Sequence, residues 1–136
     1  MKFIKFVDLK MYHAQVVFLV GVTAYDFDML YYDNNRKITD DERKEFIGEI
    51  TDEHGCNGLT CLLDSGDVLV YIRHAEYGGD VAHEIYHAAN KVLVQRGFEA
   101  VDEEAWAYLI GYLTDEYYDA LRDEMEKMER KDKKDD

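Results

Sequence analysis

The stretch that decides the interpretation of this chain is Asp80-Val81-Ala82-His83-Glu84-Ile85-Tyr86-His87-Ala88-Ala89-Asn90. It predicts a helix over about residues 80–96. Alanines fill the interior, Asp80 is placed to cap the first turn, and Gly97 supplies a stop after the last turn. Residues four apart lie on the same face of a helix, so His83 and His87 are expected to point the same way.

The spacing His-Glu-x-x-His has a chemical meaning when it lies on a helix. The imidazoles of His83 and His87 are placed to bind one metal ion, and Glu84 is placed to act as general base on a metal-bound water. A catalytic zinc site also needs a third protein ligand and leaves its fourth position for water. The alternative is an exposed helix face that carries these three residues by accident.

A second helix, predicted to begin at about residue 103, supplies candidates for the third ligand. Its first turn contains Glu103 and Glu104. Glu104 is preferred because it shares a helix face with Tyr108 and Gly111. The small residues Ala107 and Gly111 are expected to let this helix approach the histidine helix closely. The choice between Glu103 and Glu104 stays open to experiment.

These residues resemble a known enzyme family. His-Glu-x-x-His followed by a glutamate on a downstream helix is similar to the gluzincin branch of zinc metallopeptidases. The string from Glu104 to Tyr108 looks more like small stand-alone proteins with this motif, many encoded by phages and mobile elements, in the broad group of the ImmA/IrrE-type proteases. The resemblance covers roughly residues 67–115. It implies a zincin-like fold and Zn²⁺ held by His83, His87 and Glu104.

The resemblance also implies an activity, the hydrolysis of peptide bonds in a peptide or protein substrate. Glu84 would take the proton from the attacking water and pass it to the leaving amine. Tyr108 is the first candidate for a neutral donor to the oxyanion, with His74 and Tyr112 behind it. In zincins the strand before the active helix lies at the edge of the cleft and pairs with extended substrate; here that strand would be residues 67–73.

The pattern along the rest of the chain predicts an α+β protein. It predicts a small, mostly antiparallel sheet packed on the histidine helix and on a long C-terminal glutamate helix. Residues 1–130 form one domain in this prediction, and residues 131–136 form a charged, solvated tail. The predicted elements are strands at 2–9 and 13–22, a short capped helix from Thr23 to Tyr32, a capped helix from Thr39 to about Asp52, a hairpin of 58–63 and 67–73 turning at Ser65-Gly66, and a last helix with Leu109, Leu113, Tyr117, Leu121 and Met125 on one side.

Composition limits the possible partners and surroundings. The formal charge of −14 over 136 residues argues against binding to nucleic-acid phosphates or anionic membrane surfaces. Cys56 and Cys61 are the only cysteines, which favours a reducing cytoplasm over an oxidising compartment. A second zinc site from both cysteines, His54 and His74 is a minor alternative, since their spacing matches no standard module.

Two other functional classes stay open at this point. The first is an acidic, non-enzymatic inhibitor or phage-type decoy that presents carboxylates to a basic protein surface, as the negative charge suggests. The second is a protein in which zinc only holds two helices together and nothing is turned over. The sequence does not indicate the oligomeric state.

Overall fold

The computed structural model describes residues 1–35, 37–52 and 55–135 of the chain. Eight regular elements follow one another, with short 3₁₀ turns at Lys10–Tyr12 and Tyr32–Asn34. They are β1 (Phe3–Leu9), β2 (Ala14–Val20), α1 (Ala24–Leu30), α2 (Asp40–Thr51), β3 (Gly58–Leu62), β4 (Val68–Ile72), α3 (Gly78–Gln95) and α4 (Glu103–Asp135). The prediction of an α+β protein is therefore confirmed.

The four strands form one mixed sheet in the order β1-β2-β4-β3. The pairs β1–β2 and β3–β4 are antiparallel, whereas β2 and β4 run parallel, with Phe18 opposite Val70. Parallel neighbours need a crossover connection, and α1 and α2 lie in it. The expected strand before α3 is β4, and it is an internal strand. The expectation that this strand lies at the edge is therefore wrong, because the edge position belongs to β3.

Helices cover both faces of the sheet, so β2 and β4 are buried on both sides and read as continuous apolar runs. On one face, α3 and α4 enclose a core that includes Phe18, Val70, Ile85 and Tyr117. On the other face, α1 and α2 enclose a second core around Phe27, which stacks near Phe46 with ring centroids 4.6 Å apart. The sheet thus separates two apolar layers.

Local signals predicted several elements correctly. Thr23 and Asp26 form the capping box that starts α1. Thr39 and Glu42 form the capping box that starts α2. The hairpin turns where expected, since Gly66 adopts a positive φ of 94° that favours glycine.

The start of α3 differs from the prediction. The N-cap position is Tyr77, without a side-chain cap, and the helix begins at Gly78. Asp80 is therefore an acidic residue of the first turn and not the cap, where it still complements the helix dipole. At the other end, Gly97 has a φ of 85° and stops the helix as expected.

The last helix is longer than the sequence suggested. Its apolar side is confirmed up to Leu121, since Leu109, Leu113 and Tyr117 are buried and Leu121 packs against the same core, while Met125 is exposed. The helix then continues through Asp135 instead of fraying after residue 128. The predicted tail is solvated as expected from 131 to 134, and Asp136 lies outside the described residues.

Candidate active site

The two histidines of α3 converge on one point at the protein surface. Their Nε2 atoms are 3.1 Å apart, and their ring centroids are 4.7 Å apart. His83 is exposed and His87 is partly buried. The positions four apart place both rings on the same outward stripe of the helix, which confirms the geometric part of the prediction.

Glu84 points away from solvent, toward the edge strand β3. The residue is only 6% exposed, which is unusual for a carboxylate that has no lysine or arginine partner among the described residues. Its Oε1 accepts a 2.8 Å hydrogen bond from Thr60 Oγ1, and its Oε2 lies 4.0 Å from His83 Nε2. One oxygen is thus held by the strand, and the other lies beside the histidine pair.

Gly58 makes room for this carboxylate. A Cβ added to Gly58 would lie 2.7 Å from Cγ and 2.9 Å from Oε2 of Glu84, closer than real Cβ contacts allow. Gly58 and Thr60 are two apart on β3, so their side-chain directions are the same. The edge strand therefore forms the wall against which Glu84 packs, and neither residue was identified from the sequence.

The histidine pair has a separation that suits a shared zinc ion. Two nitrogens bound at about 2.0–2.1 Å in a tetrahedral site lie roughly 3.3 Å apart, close to the 3.1 Å between His83 and His87. Within residues 1–35, 37–52 and 55–135, no group of three or more His, Cys, Asp or Glu side chains is close enough to hold a metal ion. The structure therefore places two suitable zinc ligands, His83 and His87, close together, and no third ligand lies near them among the described residues.

The two glutamates of the first turn of α4 face different directions. Glu103 lines a groove between α4 and α3, opposite Tyr86 and Asn90 of α3. Glu104 is exposed, and Gly111 on the same face has nothing within 4 Å of an added Cβ. The expectation that this face packs toward the histidines is therefore wrong.

The candidate oxyanion donors are dispersed. Tyr108 is 77% exposed and, with Tyr112, lines a groove against the segment 8–12. His74 lies in the β4–α3 loop, where its ring packs on Tyr77 with centroids 4.9 Å apart. Their catalytic roles stay predictions, and this arrangement adds no support for Tyr108.

Both cysteines are free and half-buried. Burial raises the pKa of Cys61 to about 11 and also raises the pKa of Cys56. His54, which the alternative second zinc site needs, lies outside the described residues.

Comparisons with protein-family models, with curated proteins and with solved structures gave no match. In the described part of the chain, no helix has both the length and the apolar content needed to cross a membrane.

The sequence carried a weak signal for the residues that were missed. Gly58 and Thr60 alternate with Leu59 and Cys61 in a short strand. A small and a hydroxyl residue on one face of a strand indicate a close approach by another element. Which element approaches is a non-local property that this pattern does not contain.

Proposed function

We propose that this protein is a zinc-dependent peptidase in which His83 and His87 hold the metal and Glu84 is the general base. One observation carries the proposal. The two imidazole nitrogens converge at 3.1 Å, and the free oxygen of a buried carboxylate lies 4.0 Å from one of them. If the two histidines shared a helix face only by chance, a buried carboxylate would not be expected beside them, because burying a carboxylate is unfavourable.

The third ligand in this proposal is a carboxylate from the first turn of α4. Glu104 matches the resemblance to gluzincins, whereas Glu103 lines the groove that α4 shares with α3. The zincin-like relationship of the fold is proposed on the same grounds as the ligand set. The order of hairpin, histidine helix and glutamate helix agrees with it.

Zinc bound at this site would supply a water of lowered pKa and a positive charge next to the peptide carbonyl. The protein supplies the base. Because Thr60 holds Oε1 of Glu84, the carboxylate presents Oε2 to the histidine side, where it accepts a proton from water. The same carboxyl group then returns the proton to the leaving amine. The proposal assigns no step to Tyr108.

The substrate in this proposal lies along β3, the edge strand next to Glu84, and not along β4. An extended peptide that pairs with an edge strand has its backbone fixed by main-chain hydrogen bonds. Thr60 belongs to that strand and contacts Glu84 directly. Pairing there would place a peptide bond near the base.

The test combines metal analysis with digestion of a peptide library. Wild-type protein is expected to bind about one zinc per chain, and Glu84→Gln is expected to keep the metal and the fold. A positioned general base contributes roughly 10²–10⁴-fold, so hydrolysis by Glu84→Gln is expected to fall at least a hundredfold. His83→Ala is the matched variant, expected to lose metal and activity together.

Two results would refute the proposal. One is the absence of bound transition metal after purification with zinc present. The other is full proteolysis by Glu84→Gln, measured beside a metal-free control.

The alternative function is an acidic binding protein without catalysis, favoured by the charge of −14. It predicts that Glu84→Gln, metal-free and wild-type protein bind a basic partner equally well. It also predicts that none of them cleaves any peptide in the library.

A further inference from the structure

The outer edge of β3 forms the floor of a cleft between α2 and α3. The cleft has a volume of about 490 Å³ and is lined by β3 together with Glu45, Glu49 and Lys91. Among the strands of the described ranges, β3 is terminal in the sheet order and pairs only with β4. A sheet edge in an open cleft presents unpaired backbone groups to whatever enters.

The register of the β3–β4 hairpin identifies those groups. Arg73 N–H donates to Asn57 O at 2.9 Å, and Leu63 N–H donates to Asp67 O at 2.9 Å. In an antiparallel ladder, hydrogen-bonded residues alternate with residues whose N–H and C=O point outward. The outward residues are therefore Gly58, Thr60 and Leu62, and no backbone partner for them is found elsewhere in the described part of the chain.

One wall of the cleft is acidic. Glu42, Glu45 and Glu49 lie on one stripe of α2, and α2 runs antiparallel to β3, as two contacts show. Glu42 accepts a hydrogen bond from Asp64 N–H just after β3, and the backbone oxygen of Glu49 accepts one from the Cys56 thiol before it. Glu45 and Glu49 are exposed and have no ion-pair partner among the described residues.

The distance between the Glu45 and Glu49 positions is close to the side-chain repeat on one face of a strand. Glu45 and Glu49 are four residues apart on α2, which is about 6 Å along the helix axis. Side chains on the same face of an extended peptide repeat every two residues, or about 6.8 Å. In a peptide paired with β3, two side chains that are two residues apart would therefore each lie near one of these two carboxylates. Lys91 lines the cleft on the α3 side, where it disfavours a cation at the intervening positions.

We propose that the open edge of β3 binds an extended peptide with lysine or arginine at alternate positions, running antiparallel to the strand with its basic side chains toward Glu45 and Glu49. This inference rests on the proposed function, because it treats the bound peptide as the substrate that Glu84 helps to cleave. It goes beyond that function by stating the class of sequence that is selected. Antiparallel pairing is chosen because it is slightly more stable per residue than parallel pairing.

The experiment measures binding by fluorescence anisotropy and uses the 136-residue chain with Glu84→Gln, so that the peptide is not cleaved. The probe is a labelled heptapeptide in which threonine alternates with lysine. Glu45→Gln/Glu49→Gln is expected to weaken its binding roughly 2- to 30-fold, as two exposed ion pairs are lost. Glu126→Gln/Glu129→Gln removes the same charge from exposed residues of α4 and is expected to change the affinity much less.

Backbone pairing is tested with the peptide. In an antiparallel added strand, residues facing α3 direct their N–H toward β3, and residues facing α2 direct theirs away. N-methylation of two threonine amides should therefore abolish binding, whereas N-methylation of two lysine amides should be tolerated. Equal tolerance of both peptides, or equal effects of the two double variants, would overturn the inference.

Failure of this inference can be distinguished from failure of the proposed function. Zinc binding and hydrolysis without any preference for alternating basic residues would refute only the inference. Selective, Glu45/Glu49-dependent binding in a protein that neither binds zinc nor cleaves would refute only the enzymatic proposal.

Discussion

Thr60 on the edge strand donates a 2.8 Å hydrogen bond to the buried carboxylate of Glu84 on α3. This contact joins residues that are 24 apart in sequence and fixes one oxygen of the proposed base. Hydrogen bonds to charged groups contribute about 1.5–3 kcal/mol. Thr60 is therefore expected to act as a positioning residue for Glu84.

Thr60→Val should lower kcat by about tenfold or more with little change in KM, because the base loses its orientation while the shape of the strand is kept. Thr60→Ser retains the hydroxyl and should restore most of the activity. Steady-state kinetics on one peptide, with zinc content measured for each variant, checks this. Equal activity of the Val and Ser variants would contradict the positioning role.

Gly58→Ala should displace the Glu84 carboxylate, because the added methyl group would lie 2.7 Å from its Cγ. We expect hydrolysis to fall while zinc stays bound, since the three atoms nearest to the added Cβ all belong to Glu84. Gly79→Ala is a matched control in the first turns of α3, where an added Cβ meets nothing within 4 Å. Circular dichroism confirms folding, and a fully active Gly58→Ala protein would show that the open space at Gly58 is not needed to position Glu84.

Glu103→Gln and Glu104→Gln should differ in zinc affinity. Adjacent helix positions are about 100° apart, so only one of them can approach the histidine pair closely. Both side chains are exposed, but Glu103 lines the groove beside α3, so we expect Glu103→Gln to release the metal more readily. A zinc titration against a chelator of known affinity measures both. The reverse order would support the assignment of Glu104 that the resemblance implies.

Gly111→Ala and Gly48→Ala should each raise the free energy of unfolding by about 0.5–1 kcal/mol, because alanine is the better helix former. Both glycines lie inside helices, and an added Cβ meets nothing within 4 Å at either one. Urea denaturation gives the values. Destabilisation by Gly111→Ala would indicate that this face of α4 is in fact packed.

Stability should fall on acidification partly through Asp28. Its two oxygens accept 2.6 Å hydrogen bonds from Arg43, which lower the pKa of the Asp28 carboxyl in the folded protein. A lowered folded pKa stabilises the protein above the unfolded pKa of about 4, and that stabilisation is lost as the pH falls through the folded value. Asp28→Asn should therefore make the loss of stability between about pH 5 and pH 3 less steep. Asp115→Asn, which removes an exposed carboxylate, is the control.

Thermal melting across that pH range is the measurement. Since this ion pair joins α1 to α2, Asp28→Asn is also expected to be the less stable variant at pH 7. An unchanged slope below pH 5 would show that the pair contributes nothing measurable, as holds for many surface ion pairs.

Local sequence signals were sufficient for most of the secondary structure. The capping boxes at Thr23 and Thr39 act within one helical turn, so they do not depend on the rest of the fold. The convergence of His83 and His87 is equally local, because a spacing of four residues places both on one helix face. The internal position of β4 depended instead on how distant strands pair, and no local pattern contains that information.

The sequence by itself determined the capped helices, the hairpin and the histidine pair beside Glu84, because these arise from short-range geometry. Only the tertiary structure decided that β3 is the edge strand, that Gly58 makes room for Glu84 while Thr60 binds it, and that Glu104 faces solvent. The rotation of α4 follows from burial of Leu109, Leu113 and Tyr117 against the sheet, which leaves the face of Glu104 roughly opposite the core. Packing of an apolar stripe outweighs the placement of one polar side chain, because burying each large apolar residue contributes about 1.5–3 kcal/mol.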